Sequence, residues 1–171
     1  DGKDLTTGQI SWNGFEKNRL FRNDGDGFTN VAFLADVAIE ADCRAAVTDD
    51  FDLDGRPDLL VVALDRRFAH ARRDLQIHRN LWPTPGHWIG VRLRGGEGVS
   101  PIGATIVVSW TGGQHADAIV TGDSAKAQHA FMKHIGLGKI DAVESIEVRW
   151  PNGATTRIED PAVDTYHLVT P

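Results

Sequence analysis

The sequence predicts an all-β protein: short strands around an acidic loop over residues 1–81, a linker at 82–86, and an antiparallel sandwich or barrel over 87–171. Three observations predict it. Apolar residues alternate with polar ones along most of the ordered-looking runs, which puts one face of a pleated strand on a core. Clusters of Gly, Asn, Asp and Pro recur at short intervals, as antiparallel sheets require. An acidic loop, Asp50-Phe51-Asp52-Leu53-Asp54-Gly55-Arg56-Pro57-Asp58, runs directly into the apolar run Leu59–Leu64.

Composition agrees. At 171 residues the chain fits one ordinary domain or two small ones, and 41% hydrophobic with 25% charged residues is globular. The 18 glycines exceed the usual ~7%, and five Trp accompany one Met and one Tyr. A net charge of −6 argues against nucleic acid as a partner, because phosphates need a basic face. No apolar run approaches the ~18 residues of a membrane span, so no membrane insertion is expected. The opening Asp1-Gly2-Lys3-Asp4 reads as a processed or truncated terminus, without a signal peptide. Cys43 has no cysteine to pair with, so it forms no internal disulfide and reads as a small buried residue.

The elements follow in order. Arg19–Asn23 and Phe28–Val31 flank Asp24-Gly25-Asp26-Gly27 and read as a hairpin around a simple turn. Ala45–Thr48 is a strand leading into the acidic loop, and Leu59–Leu64 is a strand buried on both faces. Asp65–Asp74 reads as an exposed, Arg-rich loop, with Arg66, Arg67, Arg72 and Arg73 on a solvated face or against an acidic partner. Leu75–Leu81 alternates as a strand. Trp82-Pro83-Thr84-Pro85-Gly86 stops regular structure and forms the linker.

Beyond it, His87, Ile89, Val91 and Leu93 alternate with Trp88, Gly90, Arg92 and Arg94. Ala104–Trp110, then Ile146 to Trp150, Ala154–Glu159 and Tyr166–Val169 supply further strands. Asp123–Met132 has an N-cap and helix formers, so local propensity favours a helix of two to three turns there. Residues 87–171 have enough strands to fold alone; residues 1–81 do not, and their open edges and apolar strands need cover from the second domain or another chain.

The acidic loop carries the chemistry. Calcium takes six to eight hard oxygen ligands at roughly 2.3–2.6 Å. Asp50, Asp52 and Asp54 stand at alternate positions, Gly55 permits a sharp turn, the Arg56 carbonyl is the natural backbone ligand, and Asp58 closes the set. An EF-hand would carry its bidentate Glu where Val61 stands. The alternative is a solvated acidic turn, but carboxylates so close repel one another without a cation. Magnesium is disfavoured, since it seldom binds in all-protein cages.

Leu20–Val31, and Asp50–Asp58 followed by Leu59-Leu60-Val61, resemble the FG-GAP/VCBS repeat, which builds blades of calcium-binding β-propellers. Asp1–Leu5 looks like the end of another such loop, without its first ligands. Ile102–Val108, His134-Ile135-Gly136-Leu137-Gly138 and Val143–Gly153 resemble the ASPIC/UnbV domain, an arrangement similar to the cartilage acidic protein family. Thr121–Ala127 stands where that domain has a Gly-rich, Tyr-containing stretch. The two resemblances imply a partial propeller-type calcium-loop repeat over residues 1–81 followed by an antiparallel β-sandwich over 87–171. A propeller needs several blades, so they also imply a fragment, a degenerate form, or a subunit completed by another chain.

Other constellations are poor. His70, His78, His87, His115, His129, His134 and His167 form no metal-binding spacing. Ser109, Ser124 and Ser145 sit in no nucleophile motif. Trp110 and Trp150 are in phase with core positions, whereas Trp82 and Trp88 flank the linker, half exposed; Trp12 and the others could also stack on carbohydrate. The expected function is a calcium-stabilised, non-enzymatic binding or assembly module, extracellular or periplasmic, where calcium is plentiful. The alternative is an enzyme or accessory subunit acting on carbohydrate or a secondary metabolite.

Overall fold

The computed structural model describes residues 16–65, 72–83 and 86–171. The readings placed on Asp1–Leu5, Trp12, Arg66, Arg67 and His70 lie outside the described residues. The described residues contain strands and no helix: β1 (Phe21–Asn23), β2 (Phe28–Asn30), β3 (Asp42–Asp49), β4 (Asp58–Asp65), β5 (Arg72–His78), β6 (His87–Leu93), β7 (Thr105–Trp110), β8 (Gly113–Ala118), β9 (Met132–Gly138), β10 (Ser145–Arg149), β11 (Thr155–Glu159) and β12 (Tyr166–Val169).

They form four open sheets among the described residues, in the orders β1-β2, β3-β4-β5, β11-β10-β7-β8 and β12-β6-β9. The chain divides into two compact units. One draws on Asp1–Ala46 and Leu60–His78, the other on Val47–Leu59 and Arg79–Pro171. The acidic loop thus belongs with the C-terminal unit although it precedes the linker in sequence.

In the N-terminal unit, β1 and β2 pair antiparallel with Asn23 opposite Phe28, closed by the expected turn. Asn23 Oδ1 accepts from the Gly25 amide at 2.9 Å, and Gly25 takes φ +92°, a conformation that suits glycine. Val31, Ala32, Val37, Val61 and Ala63 are buried. Phe21, Phe28, Phe33, Leu34, Leu75 and Ile77 are exposed.

The C-terminal unit has the continuous core. Period two on β6 turns Ile89, Val91 and Leu93 inward. Ile106 and Val108 of β7 stand opposite Val148 and Ile146 of β10 and are buried with them. Ile135 and Leu137 of β9, Val169 of β12, Trp150 and Val143 join the same cluster, which therefore draws on two sheets. Trp150 Nε1 donates to Thr156 Oγ1 at 2.9 Å, so the buried indole keeps its polar group satisfied.

Four expectations are corrected. Asp123–Met132 is not helical: Ser124 and Ala127 make an isolated bridge and Lys126 takes φ +60°. Met132 already opens β9, opposite Arg92 of β6, so sheet pairing overrides local helix propensity. The pairing in the second half is not wholly antiparallel, because β12 lies parallel to β6. The Arg-rich loop ends earlier than expected, since β5 begins at Arg72; Arg73 lies on that strand, exposed. Cys43 is half-buried rather than buried, and Asn18 Nδ2 donates to its Sγ at 2.9 Å.

Candidate cation loop and its aromatic seat

The acidic loop is the connection between β3 and β4, and its conformation follows from its residues. Leu53 takes φ +59° and Gly55 φ +84°, so the chain folds back twice within the loop. Asp50 sits at the centre. Its Oδ1 accepts from the Asp54 amide at 3.0 Å and its Oδ2 from the Gly55 amide at 2.8 Å. At the far end, Asp58 Oδ2 accepts from the Phe51 amide at 3.1 Å and Oδ1 from the Asn80 amide at 2.7 Å. Both carboxylates are only 3% exposed, and these amides satisfy them.

Asp50, Asp52 and Asp58 bring one carboxylate oxygen each within 4.8 Å of the others. Asp54 is turned away from that cluster. It accepts from the Arg56 amide at 3.0 Å, is paired with the Arg56 guanidinium, and meets Arg79 Nη2 at 3.1 Å. Arg79 also reaches Asp52, Nε to Oδ2 at 2.6 Å, and so bridges the two outer carboxylates. Burial works against the charge on Asp54, but the bonds from Arg79 and Arg56 together outweigh it and hold its carboxyl below the usual range. Arg56 Nε donates to the Asn80 carbonyl at 2.9 Å, and Asn80 Nδ2 to the Pro57 carbonyl at 3.1 Å. The segment after β5 thereby clips the loop from the side.

The sheet β12-β6-β9 supplies what lies behind the loop. Gly90 of β6 stands opposite Tyr166 on one side and His134 on the other. A Cβ at Gly90 would lie 1.9 Å from Tyr166 Cδ1, so only glycine lets the phenol ring cross the strand here. Trp88, two residues earlier on the same face, stacks on His134 with centroids 4.7 Å apart and meets Tyr166 at the same distance, tilted by 54°. Gly55 rests against this indole: a Cβ there would lie 2.5 Å from Trp88 Nε1. Tyr166 Oη donates to Asp50 Oδ2 at 2.7 Å.

Burial, then the hydrogen bond to Asp50 and the negative charges of Asp50 and Asp49, push the Tyr166 phenol above its ordinary range. The phenol therefore keeps its proton and remains a donor. His134 Nδ1 is 3.2 Å from the Tyr166 oxygen, which is free to accept from it. Burial holds His134 below the usual imidazole range against the opposing charges of Asp50 and Asp49.

A cleft of about 260 Å³ opens beside the loop, lined by Asp49, Asp50, Asp123, His129, Lys133 and His134. His129 Nδ1 lies 3.0 Å from Asp123 Oδ2, and Lys133 Nζ lies 3.1 Å from Asp117 Oδ1. A larger cleft of about 350 Å³ in the N-terminal unit is lined by Glu16, Asn18, Arg19, Asn30 and Phe33 and holds none of the loop residues.

Of the five residues read as ligands, the structure gathers Asp50, Asp52 and Asp58 and sets Asp54 beside them on the two arginines. Sequence reasoning placed none of Arg79, Asn80, Trp88, His134 and Tyr166 at the loop, although it named Trp88 beside the linker and His134 within a family-like motif. The Arg79-Asn80 pair repeats Arg22-Asn23, a likeness that could have drawn attention to it. Nothing local marks the other three, because they meet only through strand register.

Residues 96–171 match the family described as ASPIC and UnbV. The C-terminal part of the chain therefore carries that domain, as its motifs implied, while Trp88 and the acidic loop lie before the matched segment. No curated protein matches the chain.

Proposed function

We propose that the chain is a calcium-stabilised, non-enzymatic binding or assembly module that works outside the cytoplasm. The observation that carries this reading is the convergence of Asp50, Asp52 and Asp58 within 4.8 Å, two of them buried, on a loop folded back on itself. Buried carboxylates gathered this closely favour a divalent cation as counter-charge, and their hard oxygens suit calcium. Asp54 would exchange its Arg56 and Arg79 partners for the ion and, with the Arg56 carbonyl, complete the proposed ligand set. The ion's role is structural: it pins the loop so that Leu59–Leu64 enters β4. An extracellular or periplasmic setting, where calcium reaches millimolar levels, would fill even a weak loop of this kind.

The propeller-blade reading of the first half, the sandwich reading of the second, and a further chain that completes the propeller belong to the same proposal. The exposed side chains of Phe21, Phe28, Phe33, Leu34, Leu75 and Ile77 support a protein partner for the N-terminal unit. The net charge of −6 argues against a nucleic-acid partner. Light scattering of the purified chain with a hydrophobic-dye titration tests the partner. Self-association or dye binding is expected; a stable monomer that binds no dye rejects it.

A second reading has one observation in its favour. The cleft beside Asp50 gathers acids, Lys133 and two histidines, which is the kind of surface an enzyme or accessory subunit acting on carbohydrate or a secondary metabolite would use. Binding of a glycan or small-metabolite library that is lost in His134→Ala and kept in Asp52→Asn would favour this reading over the first.

A further inference from the structure

The backbone amides of the acidic loop turn inward. The amides of Phe51, Asp54, Gly55 and Arg56 all donate to carboxylates within the loop. Such bonds shape a turn but attach it to nothing. Attachment comes from elsewhere in the same unit: Arg79 and Asn80 on one side, Trp88 and Tyr166 on the other.

We propose that Trp88, His134 and Tyr166 form a seat on which the loop closes, that Tyr166 is the positioning residue for Asp50, and that loop and seat open as one cooperative element. Asp50 is buried and accepts from two amides of its own loop; its third donor, Tyr166, is 116 residues away in sequence. Without that donor, Oδ2 retains only the Gly55 amide on a largely buried residue. The seat itself is fixed by strand register. Tyr166 and His134 flank Gly90, and Trp88 lies against both rings. The loop cannot lift without uncovering the Trp88 face on which Gly55 rests. The cooperative unit therefore begins at residue 47, well before the segment that matches the family at 96–171.

This inference deepens the calcium reading but rests on it only in its calcium arm. An ion held by the loop would stabilise the strands of the seat through Asp50 and Tyr166.

Hydrogen exchange of the full chain, followed by mass spectrometry across a series of low denaturant concentrations, tests the inference. Peptides covering 50–58, 87–93, 132–138 and 164–169 are expected to converge on one opening event. Tyr166→Phe is expected to speed exchange in 50–58 about ten-fold, and Thr111→Ala, whose hydroxyl bonds Glu144 elsewhere in the unit, to leave it unchanged. Calcium is expected to slow exchange in loop and seat together, with a several-fold higher midpoint in Tyr166→Phe. A loop that opens independently of the seat in the wild-type chain overturns the inference, as does unchanged loop exchange in Tyr166→Phe. If calcium changes nothing in the wild-type chain while Tyr166→Phe still loosens the loop, the calcium reading fails and the seat stands. If Tyr166→Phe does not fold, the wild-type denaturant series decides alone.

Discussion

The two units use the same alternation of apolar and polar residues and end with different surfaces. In the C-terminal unit, Ile89, Val91, Ile106, Val108, Ile146 and Val148 are wholly buried, because two sheets contribute to one core. In the N-terminal unit the same pattern leaves Leu75 and Ile77 of β5 on the surface, and in the turn after β2 Phe33 and Leu34 are 83% and 76% exposed. Alternation decides which side chains share a face. A second layer decides whether that face is dry. One strand pair and part of a three-stranded sheet do not provide that layer among the described residues.

The sharpest way to break this comparison is to truncate one side chain in each unit. Ile106→Ala should cost about 2–5 kcal/mol of unfolding free energy in denaturant titration, the usual cost of emptying a close-packed site. Phe33→Ala should cost less than about 0.5 kcal/mol, or raise solubility, because it buries little. Equal losses would mean that the N-terminal face is covered in solution.

Glycines give a smaller effect with the same logic. Gly55→Ala adds a Cβ against Trp88 at a φ of +84° and should cost roughly 2–4 kcal/mol, from overpacking and backbone strain together. Gly112→Ala, at φ +87° with nothing within 4 Å, should cost only the strain, roughly 1–2 kcal/mol. Thermal melts of the two variants separate contact from conformation. Matching losses would remove the close approach of loop and indole from the account.

The smallest expected effect is in acid. Asp164 is held below the usual carboxylate range by the hydrogen bond with His87 first, at 2.7 Å, and by the Trp88 amide second. Its folded pKa is depressed, so its contribution is complete above the unfolded pKa of about 4 and is lost as pH falls through the folded value. In the N-terminal unit Asp24 is depressed likewise, by Thr29 and then Arg22. Melting temperatures recorded below about pH 4 should therefore depend less on pH in Asp164→Asn and in Asp24→Asn than in the wild-type chain. An unchanged slope in either variant removes that carboxylate from the acid response.

Much of the fold was legible in the sequence. Ile89, Val91 and Leu93 gave β6, Ile146 and Val148 gave β10, and Asn23 to Gly27 gave the hairpin turn, since each depends on neighbours within a few residues. The strands β8 and β9 were not read. Gly113–Ala118 carries little apolar signal because most of it is exposed at a sheet edge, and the helix formers before Met132 masked the start of β9. The site divides in the same way. The alternate aspartates identified the loop, but that Asp54 faces two arginines depends on Arg79, 25 residues on, and the partnership of Asp50 with Tyr166 spans 116. Register contacts of this kind have no local trace.

Calorimetric titration of calcium into the metal-stripped chain, paired with melts in calcium and in EGTA, tests the central claim most directly. The account predicts one ion per chain, a melting temperature lowered by EGTA, and loss of both effects in Asp54→Ala and Asp58→Asn but not in Asp24→Ala. At a hundred-fold excess over Kd, such an ion would add about 2.7 kcal/mol to stability. A chain that takes up no calcium and melts identically with and without EGTA would contradict it.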